Sequence, residues 1–90
     1  MDNYGKKAIA WLPEVRVTGM IDPVIQIYRQ QTGEMIYALR IDGQFFQPKV
    51  FAPGLYTLRV GEPDSDTWQE FRHIKANPSK DLSPLEVIFQ

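Results

Sequence analysis

Carboxylates, serines and one histidine are the residues of this sequence whose types could carry catalysis, and their spacing decides what each could do. Glu62, Asp64 and Asp66 stand together in Gly61-Glu62-Pro63-Asp64-Ser65-Asp66. Paired carboxylates do acid–base work when they flank a bond inside a cleft that tunes their pKa values. These sit in a polar, turn-rich stretch, where a solvated loop is the simpler reading. As hard oxygen ligands they could hold calcium, but the terminal bidentate glutamate of a full calcium loop is missing. A serine triad needs serine, histidine and acid in one place. Ser65, Ser79 and Ser83 all lie in turn or tail contexts without a nucleophile-elbow pattern, and His73 reads as a strand residue. One histidine and no cysteine leave no disulfide, no thiolate and no imidazole pair for zinc. The expectation is a protein without catalytic residues, metal or cofactor.

Binding is the sharper possibility. Carbohydrate sites use exposed aromatic platforms beside hydrogen-bonding residues, and Trp11, Tyr28 and Trp68 are the candidates here. Trp11 and Trp68 flank the alternating core segments, while Tyr28 falls on the strand face opposite Ile25 and Ile27. The competing reading is that these rings pack in the core or at its edge, because large aromatics dominate burial and exposed apolar patches need a reason. Exposed, coplanar rings at Trp68 and Tyr28 would favour the sugar.

These side chains must be positioned by a small molecule. Ninety residues make one domain at most. The hydrophobic share of 43% and charged share of 23% are ordinary for a globular chain and argue against disorder. Ten basic and eleven acidic residues are interleaved, so no basic face is offered to nucleic acid or an anionic membrane. No apolar run approaches the roughly 18 residues of a membrane span. Ala8 to Leu12 follows Lys6-Lys7 but is too short for the apolar region of a signal peptide, and Pro13-Glu14 replaces a small-residue cleavage site. No targeting segment is read, so an export signal would have to precede residue 1. The last six residues, Leu85-Glu86-Val87-Ile88-Phe89-Gln90, are similar to a picornaviral protease site engineered for tag removal, with isoleucine for leucine at Ile88. They are either an expression-tag scar or a native final strand.

Short apolar-alternating runs separated by turn residues predict an all-β fold. Glu14–Thr18 alternates and stops at Gly19, and Val24–Arg29 follows the Asp22-Pro23 turn signal. Gln30-Gln31-Thr32-Gly33 reads as a hairpin loop, with Gly33 free to take positive φ. Glu34–Asp42 places Met35, Tyr37, Leu39 and Ile41 on one face. Asp42-Gly43 is a second turn, followed by a short strand that Pro48 stops. Pro53-Gly54 is a third turn, opening a strand with Tyr56, Leu58 and Val60 on one face and Leu55, Thr57 and Arg59 on the other. Thr67–Lys75 fits two readings. Trp68, Phe71 and Ile74 are spaced by three, as in a short helix with Thr67 and Glu70 as a capping box. A bulged closing strand fits too and is preferred, because the preceding strand needs a partner.

The phrases Thr32-Gly33-Glu34, Asp42-Gly43-Gln44-Phe45 and Pro53-Gly54-Leu55-Tyr56-Thr57-Leu58-Arg59-Val60 resemble the carboxypeptidase-regulatory-like and collagen-adhesin B-type domains. The resemblance covers Val24 to Gly61 and consists mainly of turn punctuation. Met20-Ile21-Asp22-Pro23 and the doublet Phe45-Phe46 depart from the usual pattern. It implies a transthyretin-like β-sandwich, where the strand pattern alone also fits an immunoglobulin-like one, serving as an accessory or structural module of a larger, exported bacterial protein, extracellular or periplasmic. A neighbouring domain or a protein would be its partner, with carbohydrate as the alternative. Some adhesin-type relatives carry a lysine–asparagine crosslink, for which Lys6, Lys7 and Asn77 are the loosely compatible residues. The full expectation is a small antiparallel β-sandwich of about 6–7 strands. It spans residues 13–78, with an N-terminal extension at 1–12 and a tail at 79–90 that includes the segment 85–90. Gly33, Gly43, Pro53 and Gly54 set its turns, and Tyr37, Leu39, Ile41, Tyr56, Leu58 and Val60 build its core.

Overall fold

The computed structural model describes residues 10–90, and every regular element among them is a strand. In chain order these are β1 (Ala10–Trp11), β2 (Val15–Thr18), β3 (Val24–Arg29), β4 (Met35–Arg40), β5 (Phe45–Phe46), β6 (Lys49–Val50), β7 (Leu55–Gly61), β8 (Trp68–Lys75) and β9 (Leu85–Ile88). One sheet has the order β4-β3-β7-β8 and is antiparallel throughout. A second has the order β5-β2-β9, and β1 pairs with β6 in a two-stranded ladder. The β1–β6 ladder continues the β2–β5 ladder. Leu12-Pro13-Glu14 on one side opposes Gln47-Pro48 on the other, one extra residue around two prolines that cannot donate to a ladder. Counted as interrupted strands, β1–β2 and β5–β6 reduce the nine elements to seven.

The hairpin loop closes where glycine is required. Gly33 takes a φ of 76°, and its N–H reaches the Arg29 carbonyl at 2.8 Å. Asp42-Gly43 does something the sequence does not announce. Instead of folding β5 back beside β4, it carries the chain to the other sheet. Asp22, itself at a φ of 54°, fixes that crossing by accepting the Gly43 N–H on Oδ1 at 2.6 Å.

One core joins the sheets. Ile25, Ile27, Tyr56, Leu58 and Val60 come from the four-stranded sheet, and Val15, Val17 and Val87 from the other, all essentially inaccessible. Ile41 is also buried, but Tyr37 and Leu39, placed in the core by their alternation, are only half-buried and pack on its margin. They belong to β4, an edge strand, so one flank of each faces solvent. Burial pushes the Tyr37 hydroxyl up to about 12, and that hydroxyl donates to the Lys49 carbonyl at 2.7 Å. An unfolded tyrosine titrates near 10, so between about 10 and 12 the folded chain holds the extra proton. Stability is therefore full below about pH 10 and is lost as the pH rises toward about 12. Thermal melts at about pH 9 and about pH 11 should show this fall, and a smaller one in Tyr37→Phe.

Tyr56 is 1% exposed and donates its hydroxyl to the Ala52 carbonyl at 2.7 Å, pinning the Pro53-Gly54 corner to the start of β7. Tyr56→Phe should cost about 1–2 kcal/mol in urea unfolding with an unchanged m-value.

Two features differ from the sequence expectation. The pairing of β2 with β9 is parallel, so the fold is not purely antiparallel. A parallel neighbour needs a long connection, and here strands β3 to β8 all lie between the two partners in the chain. Residues 10–12 and 85–89, placed outside the 13–78 unit, furnish Ala10, Leu12, Val87 and Phe89 to the core. Four-residue alternation is too short a pattern to separate a closing strand from a tail. Thr67–Lys75, by contrast, forms the bulged strand preferred from the sequence, with no helical turn. Phe71 and Ile74 both pack on the core because Arg72 and His73 together oppose Thr57, a bulge that inserts one residue between two inward positions. The spacing of three comes from that extra residue, and Trp68 lies on the opposite face.

Bulges also mark both edges of the large sheet, at Ile36 on β4 and at Arg72-His73 on β8. Edge bulges hinder strand addition by another chain. Among the described residues, no helix is long and apolar enough to cross a membrane.

Candidate functional site

The outer face of β4-β3-β7-β8 carries the most organised set of polar and aromatic side chains. Alternation turns Gln26 and Tyr28 of β3, Thr57 and Arg59 of β7, and Trp68 and Glu70 of β8 away from the core. Arg59 stands at the centre. Its Nη1 donates to Gln26 Oε1 at 3.2 Å, and Tyr28 donates its hydroxyl to the same oxygen at 3.0 Å. The Arg59 guanidinium lies 4.8 Å from the centre of the Trp68 ring and 3.8 Å from a Glu70 oxygen. Glu70 in turn accepts from Arg72 Nε at 2.7 Å. Individual exposed pairs contribute little stability, but a row of five mutually braced side chains is held in one geometry.

Next to this row lies a shallow cavity of about 350 Å³, lined by Tyr28, Thr57, Arg59, Glu70, Arg72 and His73 among others. The β8 bulge shapes its rim. His73 sits at a φ of 61° and is held there by Gln30, whose Oε1 accepts the His73 backbone N–H while its Nε2 meets Nδ1 at 2.8 Å.

At the far end of the same sheet, Arg40 grips both oxygens of Glu62 at 3.0 and 3.1 Å and donates to the Asp22 carbonyl at 2.8 Å. The hydrogen bond from Arg40 holds the Glu62 carboxyl below its ordinary range and raises the guanidinium in return. This answers the calcium reading of Glu62, Asp64 and Asp66. Both Glu62 oxygens are engaged, and among the described residues no group of three or more histidine, cysteine, aspartate or glutamate side chains could hold a metal ion. Ser65 serves the turn: it donates to the Glu62 carbonyl and accepts from the Thr67 N–H.

The three aromatic candidates separate. Tyr28 and Trp68 share the outer face and are both half-buried. Tyr28 opposes Thr57 and Trp68 opposes Gly61, four residues apart, or about 13 Å along the strand. Arg59 stands between them, so they form no single platform. The Trp68 ring lies over Gly61, where it fills the space a side chain would take. Trp11 belongs to the β1–β6 ladder, paired with Lys49 and bridged to Asn77, with Lys80 Nζ 4.2 Å from its ring centre. Lys6 and Lys7 lie outside the described residues. Asn77 exchanges backbone hydrogen bonds with Trp11 at 2.7 and 2.9 Å.

Gln26, Gln30, Glu70 and Arg72 belong to the site without having been singled out by sequence. The outward phase of Thr57 and Arg59 was readable from alternation, but which strands flank β7 was not, and the partners follow from that order. No family model matches the chain, nor does any curated protein or solved structure show significant similarity to it.

Proposed function

We propose that this chain is a non-catalytic β-sandwich module of a larger, exported bacterial protein, of the kind its turn phrases resemble. It acts by presenting one rigid face to a neighbouring domain or ligand. The observation that carries this reading is the braced outer row Tyr28–Gln26–Arg59–Glu70–Arg72 with Trp68 beside Arg59. Such a row adds little to folding, yet its order lowers the entropy cost of docking. The bulged edges complement it, since they direct association to a face rather than to strand addition.

The reading requires sequence beyond this piece. The open reading frame that contains it should encode an adjoining domain, a hydrolase or further surface repeats; a solitary gene of this length would contradict the appendage role.

A second reading, a carbohydrate-binding module, is favoured by one observation: a cavity opens on the same face with Tyr28 in its lining. Of the aromatic residues weighed from sequence, Tyr28 is the one that serves it. Trp68 contributes as a support, because its ring covers Gly61.

A further inference from the structure

The cavity on the outer face has a chemical bias beyond the presence of an aromatic ring. Its lining includes three arginines, Arg29, Arg59 and Arg72, and the last two lean on the one carboxylate, Glu70. Sharing one anion between two guanidinium groups leaves a positive excess and unused donors. Arg72 engages Glu70 through Nε alone, and its side chain lines the cavity while 68% exposed, which leaves the terminal nitrogens able to meet a ligand. A guanidinium fork presented this way matches a carboxylate in two parallel hydrogen bonds.

The bulge on β8 is what places this fork. In a regular strand Arg72 and His73 would point to opposite faces. With both opposing Thr57, Phe71 and Ile74 keep their places against the core while Arg72 and His73 are both turned outward to the cavity. The left-handed backbone of His73 is a conformation that residues other than glycine seldom adopt, and Gln30 holds it with two contacts. Bulges that re-aim side chains recur next to binding sites.

The rest of the lining fits a polyol. Thr57 offers a hydroxyl, and Tyr28, its own hydroxyl committed to Gln26, offers the ring. No deep apolar slot lines this cavity to seat a peptide side chain, and the bulge at Arg72-His73 interrupts the neighbouring β8 edge against pairing with a peptide strand. A cavity of about 350 Å³ stands at the small end of ligand sites, with room for about one or two sugar rings. Resting on the carbohydrate-binding reading, we propose that this cavity binds an acidic saccharide. The carboxylate of a uronic acid residue meets Arg72 and Arg59, and the ring lies against Tyr28. Open to solvent, the charge contact is screened, so binding weakens as salt rises.

Titration of the ¹⁵N-labelled protein at low salt tests this, with a galacturonic acid tetramer, a neutral glucose tetramer and sodium acetate as separate probes. The acidic tetramer should move the amide signals of Thr57, Arg59, Glu70, Arg72 and His73 and bind about tenfold more tightly than the neutral one. Arg72→Ala should weaken it about tenfold without lowering the melting temperature, and Arg72→Lys, which keeps charge but loses the fork, should fall between. Equal affinity for both tetramers would overturn the acidic preference while leaving a sugar site in place. Acetate moving the same signals at the same concentration would overturn the saccharide and leave a simple anion contact. No response to any probe up to about 10 mM would overturn both this inference and the carbohydrate reading beneath it.

Discussion

Gly61→Val is expected to remove most of the stability of this protein. A Cβ at Gly61 would stand 2.1 Å from the Thr67 carbonyl oxygen and 2.7–2.8 Å from two carbons of the Trp68 ring. The ring could swing aside, but the carbonyl belongs to the backbone entering β8, and Gly61 is paired on both sides, with Val24 and Trp68. Valine adds two further methyl groups to that clash. Overpacking against backbone costs about 3 kcal/mol or more, and a domain of this size has roughly 5 kcal/mol to lose. The urea midpoint should therefore fall by more than half. Adding Trp68→Ala should recover only the part due to the ring. A Gly61→Val midpoint close to wild type would mean that the β7–β8 turn is built differently. The variant also displaces the ring beside which Arg59 is held, so the outer row should loosen with it.

Val87→Asp should be as damaging, and it probes the opposite end of the chain. Val87 is fully buried and pairs with Val17 in the parallel β2–β9 ladder. Among the described residues the buried core around it is hydrophobic, with no buried charge, and an unpaired buried charge costs about 3–5 kcal/mol. The neighbouring residue supplies the control. Ile88 is 56% exposed, so Ile88→Asp should change stability by no more than about 0.5 kcal/mol. Thermal melts of the two variants distinguish a structural β9 from a tail, because a tail would tolerate both substitutions equally.

The fold class was readable because apolar residues recur at every second position in most strands. Ile25 and Ile27 on β3, and Tyr56, Leu58 and Val60 on β7, are all buried as that period requires. Prolines and bulges limited the rest. Pro13 and Pro48 break two strands into four short pieces, and the extra residue at Arg72-His73 gives β8 a period that imitates a helical turn. The two ends of the chain were the least legible. Ala10 and Leu12 find their place through a ladder with β6 and a contact across Pro48, and β9 finds its place beside β2, about 70 residues away in sequence. Long-range pairing of that kind leaves no local signature. The same reason hid Gln30, whose side chain meets His73 only after β3, β7 and β8 are laid side by side.

The proposed role turns on which surface meets a partner. Backbone amide spectra of this chain alone and joined to the adjoining domain of its open reading frame test that most directly. Shifts are expected to cluster at Gln26, Tyr28, Thr57, Arg59, Trp68, Glu70 and Arg72, on the outer face of the large sheet. Shifts confined to Arg16, Phe45 and Glu86 on β2, β5 and β9, or identical spectra in the two states, would contradict it.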